Sequence, residues 1–450
     1  MHMFKLAAVA CLLFSSLLPA QSKRPDYGTA KPVPGLIVNT SVAPNDAHAM
    51  RQHYVVLVSL DGFRYDYPKL HQAPYMQSMM QQGATAPDGM LPSYPSLTFP
   101  NHLTLVTGLL PEHHGIVSNN FYDPTRKQTY ALKNPKTGMD GTWYSGVPLW
   151  SLAQQQGMRA ATFMWPGSEA EIAGQCPSSY AKFEDHLDGH VGIEQVIAWL
   201  NLPAAERPHL ITFYLPTVDH YGHWYGPESE QERMAVHIVD GLMSELRARL
   251  TATGLPVDLV IVSDHGMVKT DNNAIQFDRY ADFSNAKMVD WAIYANTEAD
   301  AQKIYKQFQS HPDPRFTVYR RKGLPAYLHS NDNPRIGDPV IVPNGPYTGS
   351  LHASTPRDDQ GGHGYDATRM PQMKAFFLAT GPDIRKKVSL PTFPNVDVYS
   401  FIAKLLDLKP APNDGTLGPL KQALKNTKQK NNSQKEIGKN KKRVPHISAL

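Results

Sequence analysis

Six acidic and histidine side chains in this sequence have the types expected of metal ligands. They are Asp61, Asp219, His223, Asp264, His265 and His363. Carboxylate oxygen mixed with imidazole nitrogen suits Zn²⁺, with Mn²⁺ or Co²⁺ as substitutes. Structural zinc sites are usually closed by four protein ligands and are rich in Cys, whereas sites with three ligands and no Cys indicate catalysis. The sequence therefore predicts two open metal sites.

The spacing of the six residues divides them between two ions. Asp219 and His223 are four residues apart, so in a helix they lie on one face and bind a single ion, with His363 as the third ligand. Asp61, with the adjacent pair Asp264 and His265, forms the second site. Two such ions about 4 Å apart clamp the attacking and leaving oxygens of a displacement at phosphorus.

A nucleophile is expected between these ligands, and the segment LPSYPSLTFPNHLTLVTG offers one at Thr98. Pro100 stands where a helix is expected to begin, so Thr98 would lie near the positive end of a helix dipole, which favours an alkoxide. Coordination to a metal activates a hydroxyl without an adjacent base. Asn101 is expected to donate its amide to a non-bridging phosphoryl oxygen, as an oxyanion-hole donor does.

Most of these ligands follow apolar runs that predict buried parallel strands. YVVLVSL precedes Asp61, LITFYL comes shortly before Asp219, and LVIVS precedes Asp264. In open α/β sheets, ligands bind beyond the carboxyl ends of the strands. Helical patterns alternate with these runs. The predicted fold class is therefore α/β, a doubly wound and mostly parallel central sheet with helices on both faces.

The domain prediction has four parts. Residues 1–20 resemble a secretory signal peptide, with Lys5, an apolar stretch and then Pro19 and Ala20. The alternative, a membrane anchor, needs about 20 apolar residues and an uncleaved signal, and no transmembrane segment is expected after cleavage. Residues 21–52 are predicted to be a linker, 53–408 the enzyme domain with an inserted α+β subdomain at about 285–350, and 409–450 a basic, disordered tail.

Charge and cysteine content limit the other function classes. The formal net charge is +4, but residues 421–450 carry nine Lys and Arg against one Glu, so the remainder is mildly acidic. The tail is predicted to be solvated, with contact to anionic surfaces as the alternative. Cys176 is the only cysteine after signal removal, so no internal disulfide is expected. The folded part has no cluster of basic and aromatic residues that would indicate nucleic-acid recognition.

The motifs also carry a family resemblance. The Asp61 strand, TFPNHLTLVTGLLPEHHGI, the WPGS element, VDHYGHWYGP, SDHGM and GGHGYD together resemble the nucleotide pyrophosphatase/phosphodiesterase family of the alkaline phosphatase superfamily, as a secreted bacterial member. The resemblance spans roughly Tyr54 to Leu408. Separate motifs in the right order make it specific, whereas a lone SDHG would be weak.

The resemblance implies residue roles that agree with the chemistry above. Thr98 would be the covalent nucleophile and would share one zinc with Asp61, Asp264 and His265, while Asp219, His223 and His363 would hold the other. Phe99 and Tyr214 match positions where the family sandwiches a nucleobase.

The expected function is that of a two-zinc hydrolase that cleaves phosphodiester or pyrophosphate bonds of nucleotides through a phosphothreonine and releases nucleoside monophosphate. Export to the periplasm or outside the cell is expected from the signal peptide. The alternatives are a phosphate monoesterase, a lipid-headgroup phosphodiesterase of the same superfamily, and a secreted zinc-binding protein without catalysis.

Overall fold

The computed structural model describes residues 34–353 and 359–425. The predicted signal peptide at 1–20, the first part of the predicted linker and residues 426–450 of the predicted tail lie outside these described residues. None of the helices in the described ranges has the length and apolarity that a membrane crossing requires.

Eleven α-helices occur in the described residues. They are α1 (Tyr67–Leu70), α2 (Pro74–Gln82), α3 (Thr98–Thr107), α4 (Pro111–His114), α5 (Pro135–Gly138), α6 (Leu149–Gln155), α7 (Gly189–Leu200), α8 (Thr217–Tyr225), α9 (Glu230–Ala252), α10 (Glu298–Ser310) and α11 (Asp397–Leu405).

Nineteen strands occur in the same part of the chain. They are β1 (Ile37–Asn39), β2 (Tyr54–Leu60), β3 (Ala84–Thr85), β4 (Asn120–Asp123), β5 (Gln128–Ala131), β6 (Ala160–Phe163), β7 (Ser179–Ala181), β8 (Leu210–Leu215), β9 (Val257–Val262), β10 (Val268–Lys269), β11 (Asp271–Gln276), β12 (Ala286–Val289), β13 (Ala292–Ala295), β14 (Phe316–Tyr319), β15 (Val340–Pro343), β16 (Tyr347–Ser350), β17 (Gly361–Gly362), β18 (Phe377–Thr380) and β19 (Val388–Ser389).

The central sheet has nine strands in the order β1-β7-β6-β8-β2-β9-β18-β3-β19. The five strands from β7 to β9 are parallel, while β18 runs antiparallel to β9 and β1 runs antiparallel to β7. Helices α3, α6 and α11 pack together, and α2, α7, α8 and α9 form a second group. The predicted doubly wound α/β fold is confirmed, since a large and mostly parallel sheet lies between helices.

The middle strands lie at the centre because their apolar side chains need burial on both faces. All residues of β2 and β8 are buried, as are all residues of β9 after Val257. The register pairs Leu60 with Leu215 and Ser59 with Val262, so the three strands end side by side. The residues that follow them therefore meet at one edge of the sheet.

A smaller α+β unit lies between β9 and β17. Its four-stranded antiparallel sheet has the order β12-β13-β15-β14, and α10 packs against β13 and β14. Its own core contains Phe277, Ile293, Phe308, Phe316 and Ile341. This unit has a separate hydrophobic centre and borders the edge of the main sheet.

The predicted linker at 21–52 is wrong for its described part. Residues 37–39 form the edge strand β1, and Ile37 pairs with Ala181 on the neighbouring strand β7. The side chain of Asn45 donates to the carbonyl oxygens of Ala204 and Arg207. The segment is ordered because it completes an exposed sheet edge, a contact that its Pro-rich composition does not reveal.

The predicted tail at 409–450 also begins too early. Leu420 and Ala423, in a 3₁₀ helix at Gly418–Ala423, are fully buried and belong to the main core. The backbone N–H of Lys425 donates to the carbonyl oxygen of Asp383. Sparse apolar residues anchor this stretch although it lacks a regular hydrophobic period.

Candidate active site

Two central strands deliver three of the predicted ligands to one point. Asp61 directly follows β2, and Asp264 and His265 follow β9 after Ser263. The His265 Nε2 lies 3.0 Å from Asp264 Oδ2 and 3.5 Å from Asp61 Oδ1. All three side chains are buried. The structure therefore brings together the set that spacing assigned to one ion.

The other three predicted ligands meet beside them. Asp219 and His223 lie one turn apart on α8, with His223 Nε2 3.5 Å from Asp219 Oδ1. His363 follows β17, which contacts α8, and its Nε2 lies 3.6 Å from the same Asp219 oxygen and 3.1 Å from His223 Nε2. The rings of His265 and His363 stack with centroids 3.7 Å apart, so the two groups of ligands are contiguous.

In each of the three histidines, Nδ1 donates a hydrogen bond to a backbone carbonyl oxygen. His223 contacts Gly361 at 2.9 Å, His265 contacts Gly266 at 2.9 Å and His363 contacts Ser96 at 3.0 Å. A carbonyl only accepts hydrogen bonds, so each Nδ1 carries a proton and Nε2 is the nitrogen that is available to a metal. The Nε2 atoms of His223 and His363 lie 3.1 Å apart, and a cation bound between them would accept a lone pair from both.

The three carboxylates present oxygens that accept no hydrogen bond from the described residues. These buried atoms are Asp61 Oδ1, Asp219 Oδ1 and Asp264 Oδ2. Such atoms are costly to bury unless a cation or another donor compensates them. Three carboxylate oxygens and three imidazole nitrogens thus converge, and this mixed donor set fits divalent transition metals of the zinc type.

The pKa values reflect this crowding of charge. Burial, together with the neighbouring carboxylates of Asp264 and Asp219, raises the pKa of Asp61 well above its ordinary value. Burial also opposes ionisation of Asp264, but the imidazoles of His265 and His102 outweigh it and lower its pKa. Burial lowers the pKa of His363 to about 3, so its ring is neutral at pH 7. A bound cation would favour ionised Asp61 and neutral His363.

Distance alone groups the ligands slightly differently from the predicted division. Asp61, Asp264 and His265 form one set, while Asp219 and His363 form a set with His265, their ligand atoms lying within 4.8 Å of one another. His223 adjoins the second set through its contacts with Asp219 and His363. His265 lies between the two sets, as expected for adjacent ions.

Gly62 allows the close approach of these elements. It has a φ of 67°, and a Cβ at this position would lie 3.0 Å from the Cα and Cβ of Asp219. Its N–H donates to Asp264 Oδ1 at 3.1 Å, which leaves Oδ2 facing the centre. A side chain at position 62 would push α8 away from the strand ends.

Thr98 is the first residue of α3, after the N-cap residue Leu97. Its hydroxyl oxygen lies 3.4 Å from His265 Nε2. The hydroxyl therefore lies at the positive end of the helix dipole and directly beside the ligand cluster.

His102 is a positioning residue that the sequence analysis missed. Its Nδ1 lies 2.8 Å from the Thr98 carbonyl oxygen and 3.4 Å from Asp264 Oδ2, and its Nε2 lies 2.8 Å from Ser59 Oγ. The ring thus joins the first turn of α3 to β2 and to a predicted metal ligand. Its position four residues after Thr98 places both residues on one helix face, which was the available signal.

The predicted role of Asn101 is contradicted by its surroundings. Its side chain is completely buried, and its Nδ2 donates to the carbonyl oxygens of Ser93, Pro95 and Leu97. Its Oδ1 accepts from the Ser93 N–H and from Asn395 Nδ2. The amide holds the loop that leads into α3, because helical side chains tilt towards the N-terminus, and it has no capacity left for a phosphoryl oxygen.

Asn119 occupies the place that was expected of Asn101. Its Oδ1 accepts from the backbone N–H of Phe99 at 2.9 Å, beside the predicted nucleophile. This bond orients the amide group and leaves its NH₂ to donate to another partner. Asn119 also lines the cavity next to His223 and His363. Its distance from Thr98 in the chain gave the sequence analysis no signal.

Phe99 and Tyr214 do not have equivalent positions. Phe99 is partly exposed in the first turn of α3. Tyr214 is only 6% exposed, and its hydroxyl donates to Asp61 Oδ2 at 2.5 Å. A ring so covered offers no face for a base, so Tyr214 orients Asp61 instead. Phe183 is 49% exposed with its ring 6.5 Å from that of Tyr214, and it is the aromatic that sequence reasoning overlooked.

A cavity of about 410 Å³ opens from the His223 and His363 side of the ligand cluster towards the smaller α+β unit. Its lining includes Asn119, Trp291 and Tyr347 together with polar backbone near Gly361. Pockets of this size and mixed polarity hold small organic ligands. Asn119, His223 and His363 therefore line a substrate-sized space beside the ligand cluster.

Comparisons with known proteins agree with this geometry. Residues 55–366 match the family model described as type I phosphodiesterase/nucleotide pyrophosphatase. The chain is 34% identical to a venom phosphodiesterase of Macrovipera lebetinus over 86% of its length, and 35% identical to human ectonucleotide pyrophosphatase/phosphodiesterase family member 1 over 82%. It spans 47% and 42% of those two relatives. It also spans 84% of an uncharacterised pyrophosphatase/phosphodiesterase of Schizosaccharomyces pombe at 33% identity.

Solved structures show the same relationship. Mouse ectonucleotide pyrophosphatase/phosphodiesterase 5, in an inactive threonine-to-alanine form in complex with AMP, superposes with a TM-score of 0.78 and 28% identity, covering 83% of this chain and all of that one. The human protein of the same name matches with the same TM-score at 29% identity. The fold is that of the alkaline phosphatase superfamily, and the chain belongs to the type I phosphodiesterase/nucleotide pyrophosphatase family.

Proposed function

We propose that this protein is a two-zinc hydrolase that cleaves phosphodiester or pyrophosphate bonds of nucleotides through a phosphothreonine at Thr98 and releases nucleoside monophosphate. One observation carries the proposal. The Thr98 hydroxyl lies at a helix N-terminus, 3.4 Å from His265 Nε2, beside imidazole nitrogens and buried carboxylate oxygens that accept no hydrogen bond from the described residues. The mouse neighbour, whose solved form holds AMP and is inactive with threonine replaced by alanine, supports this assignment.

The residues present fit a pair of zinc ions, with Asp61, Asp264, His265 and Thr98 around one and Asp219, His223 and His363 around the other. When bound, such ions lower the pKa of a hydroxyl and offset negative charge at phosphorus. The chain itself positions the nucleophile, since His102 fixes the Thr98 carbonyl and the helix dipole favours the ionised hydroxyl.

The reaction proceeds in two displacements at phosphorus. Thr98 Oγ1 forms a bond to phosphorus and its hydroxyl proton passes to solvent, while the bond to the leaving oxygen breaks and that oxygen departs in an alcohol or phosphate, which takes up a proton from solvent. The phosphothreonine still carries the nucleoside. Water then attacks its phosphorus, the bond to Thr98 Oγ1 breaks, nucleoside monophosphate is released, and a proton from the water restores the threonine hydroxyl. The Asn119 amide donates a hydrogen bond to a non-bridging phosphoryl oxygen as negative charge develops on that oxygen. This is the role first expected of Asn101.

The two sides of the site suit different parts of a nucleotide substrate. Phe99 and Phe183 supply aromatic surface on which a base can stack. The cavity that begins at His223 and His363 extends towards the smaller α+β unit and has room for another part of the substrate. The phosphorus then lies between these regions, beside Thr98.

Residues 1–20 are proposed to be a cleaved signal peptide that directs export of the protein to the periplasm or the cell exterior. The relatives named ectonucleotide and venom phosphodiesterases are consistent with it. The basic segment after the folded part is proposed to be solvated or to contact anionic surfaces.

Comparing a nitrophenyl ester of a nucleoside monophosphate with nitrophenyl phosphate tests the substrate class. A monoester carries an additional negative charge, whereas Arg335 is the only Lys or Arg among the described cavity-lining residues. Arg335 is engaged by Asp123 and two carbonyl oxygens. We expect kcat/KM to favour the diester by about 100-fold, because an uncompensated unit charge is costly in such a site. A preference for the monoester would contradict the proposal.

Replacing Asn101 and Asn119 one at a time distinguishes the structural role of Asn101 from the catalytic role proposed for Asn119. Asn101→Ala leaves several buried donors and acceptors without partners, so the free energy of unfolding should fall by about 3 kcal/mol or more. Asn119→Ala should change unfolding by less than about 1 kcal/mol and lower kcat by about 100-fold. Urea unfolding and steady-state kinetics on both variants measure this contrast. A stable Asn101→Ala enzyme with low kcat, beside a fully active Asn119→Ala enzyme, would reverse the assignment.

A further inference from the structure

A second group of potential ligands lies on the surface near the active site. Asp185 and His186 are in the loop between β7 and α7, and His220 is on α8 next to Asp219. One ligand atom from each of the three side chains lies within 4.8 Å of the other two. None of the three belongs to the catalytic ligand cluster. We propose that Asp185, His186 and His220 bind a third divalent cation, of the zinc type, that fastens this loop to α8.

The three side chains of this group lie near one another, but the nitrogen-to-oxygen distances between them are longer than a hydrogen bond. His220 Nε2 lies 3.6 Å from Asp185 Oδ1, and His186 Nε2 lies 3.8 Å from Asp185 Oδ2. Some surface pairs in this chain close to hydrogen-bond length, as in His113 with Asp414 at 2.7 Å. His352 and Asp278 likewise approach to 2.9 Å, whereas His48 and Asp407 also stay 3.6 Å apart.

The longer spacing matches ligands around a shared ion. Two atoms that coordinate one tetrahedral zinc with bonds of about 2.0 Å lie about 3.3 Å apart. The two distances from histidine nitrogens to Asp185 oxygens, 3.6 and 3.8 Å, exceed that separation by a few tenths of an ångström. The imidazole rings are already close, with centroids 5.5 Å apart. Two imidazoles and one carboxylate select zinc-type ions over Ca²⁺ or Mg²⁺, which prefer oxygen ligands alone.

The backbone of the loop supports a dedicated conformation. His186 has a φ of 64°, in the left-handed region that non-glycine residues adopt uncommonly, His, Asn and Asp more often than the others. This conformation costs roughly 1 kcal/mol or more and persists where surrounding structure enforces it. Leu187 is buried next to it and anchors the loop, while the Asp185 and His186 side chains are 48% and 46% exposed and accessible to an ion.

A cation at this location would affect substrate binding through Phe183. The same loop carries Phe183, the exposed aromatic beside Tyr214. The backbone N–H of Phe183 donates a hydrogen bond to the Glu169 carboxylate. A cation that joins Asp185 and His186 to α8 would hold Phe183 against the helix that bears Asp219 and His223. This consequence, unlike the cation site itself, rests on the proposed function.

Zinc content tests the site on the whole protein. Wild type, His186→Asn and Asp185→Asn are dialysed in a buffer that fixes free zinc, and zinc per chain is measured by mass spectrometry. Asn tolerates the left-handed backbone at position 186 but removes the imidazole. We expect each variant to hold one zinc ion fewer than wild type. His190→Ala, which removes a nearby exposed histidine paired with Asp188 and Glu245, should match wild type.

Equal zinc content in wild type and both variants would overturn the site. If the catalytic cluster failed to hold zinc, the content of every protein would fall, but the difference of one ion would remain. The role of the loop is tested separately with a nucleotide diester. We expect His186→Asn to raise KM by about fivefold with kcat unchanged. An unchanged KM would overturn the link between the cation and Phe183.

Discussion

Thr98→Ala should abolish hydrolysis of nucleotide diesters while the protein keeps its zinc. The variant removes the only atom that is proposed to form a bond with phosphorus, so kcat should fall by about 10⁴-fold or more. The zinc content should stay close to that of wild type because six other side chains remain to bind the ions. Steady-state kinetics and mass spectrometry of the metal content measure both expectations on one preparation.

Two further variants on α3 serve as controls for Thr98→Ala. Thr98→Ser retains a hydroxyl and should recover most of the lost activity. Thr107→Ala removes a buried hydroxyl that donates to Leu103 at the far end of α3, and it should leave kcat within about threefold of wild type. Retained hydrolysis in Thr98→Ala, or loss of zinc without loss of activity, would rule out Thr98 as the nucleophile.

Asp219→Asn should remove one of the two zinc ions and lower kcat by about 1000-fold or more. The substitution preserves the shape of the side chain but removes the charge of a buried oxygen that lies within 3.6 Å of two histidine nitrogens. One ion contributes several kcal/mol of charge stabilisation at the reacting phosphoryl group, and about 4 kcal/mol corresponds to that factor. Zinc per chain and the kinetics with a nitrophenyl nucleotide ester report the two effects.

A buried aspartate elsewhere provides the matched control. Asp240, on α9, accepts hydrogen bonds from the backbone N–H groups of Tyr75 and Met76 at the start of α2. Asp240→Asn should lower the free energy of unfolding by about 1 kcal/mol and leave zinc content and kcat near wild type. If Asp219→Asn behaved like Asp240→Asn, the second metal site would be refuted.

The parts of the site that sequence could predict are those fixed by the sheet. Asp61 and Asp264 follow apolar runs that need burial on both faces, and such runs become central parallel strands whose ends meet at one edge. Asp219 and His223 were predictable because helical spacing places them on one face. His363 is different, since only its glycine-rich surroundings and the family resemblance indicated it.

Side-chain orientation on α3 and β8 could not be derived in the same way. Asn101 follows Thr98 by one helical turn, yet its amide turns back to the loop at Ser93 and fills all its hydrogen-bonding capacity there. Tyr214 stands near the end of β8, but its hydroxyl reaches Asp61 and its ring is covered. Both outcomes depend on which partners the fold brings near, and local sequence does not encode them.

Asn119 and Phe183 are residues of the site that the sequence did not predict. Both lie outside the recognised motifs and reach the site through tertiary contacts, Asn119 through the Phe99 N–H and Phe183 through the loop after β7. The boundaries at 52 and 409 failed for a related reason. Short segments with few apolar residues were ordered by β1 pairing with β7 and by burial of Leu420.

Anomalous diffraction at the zinc absorption edge, on crystals of the whole protein grown with zinc, tests the central claim most directly. We expect two peaks about 4 Å apart at the catalytic cluster, one within coordination distance of Asp61, Asp264 and His265 and the other of Asp219, His223 and His363. Crystals in which these six side chains point apart, with no peak among them, would contradict it.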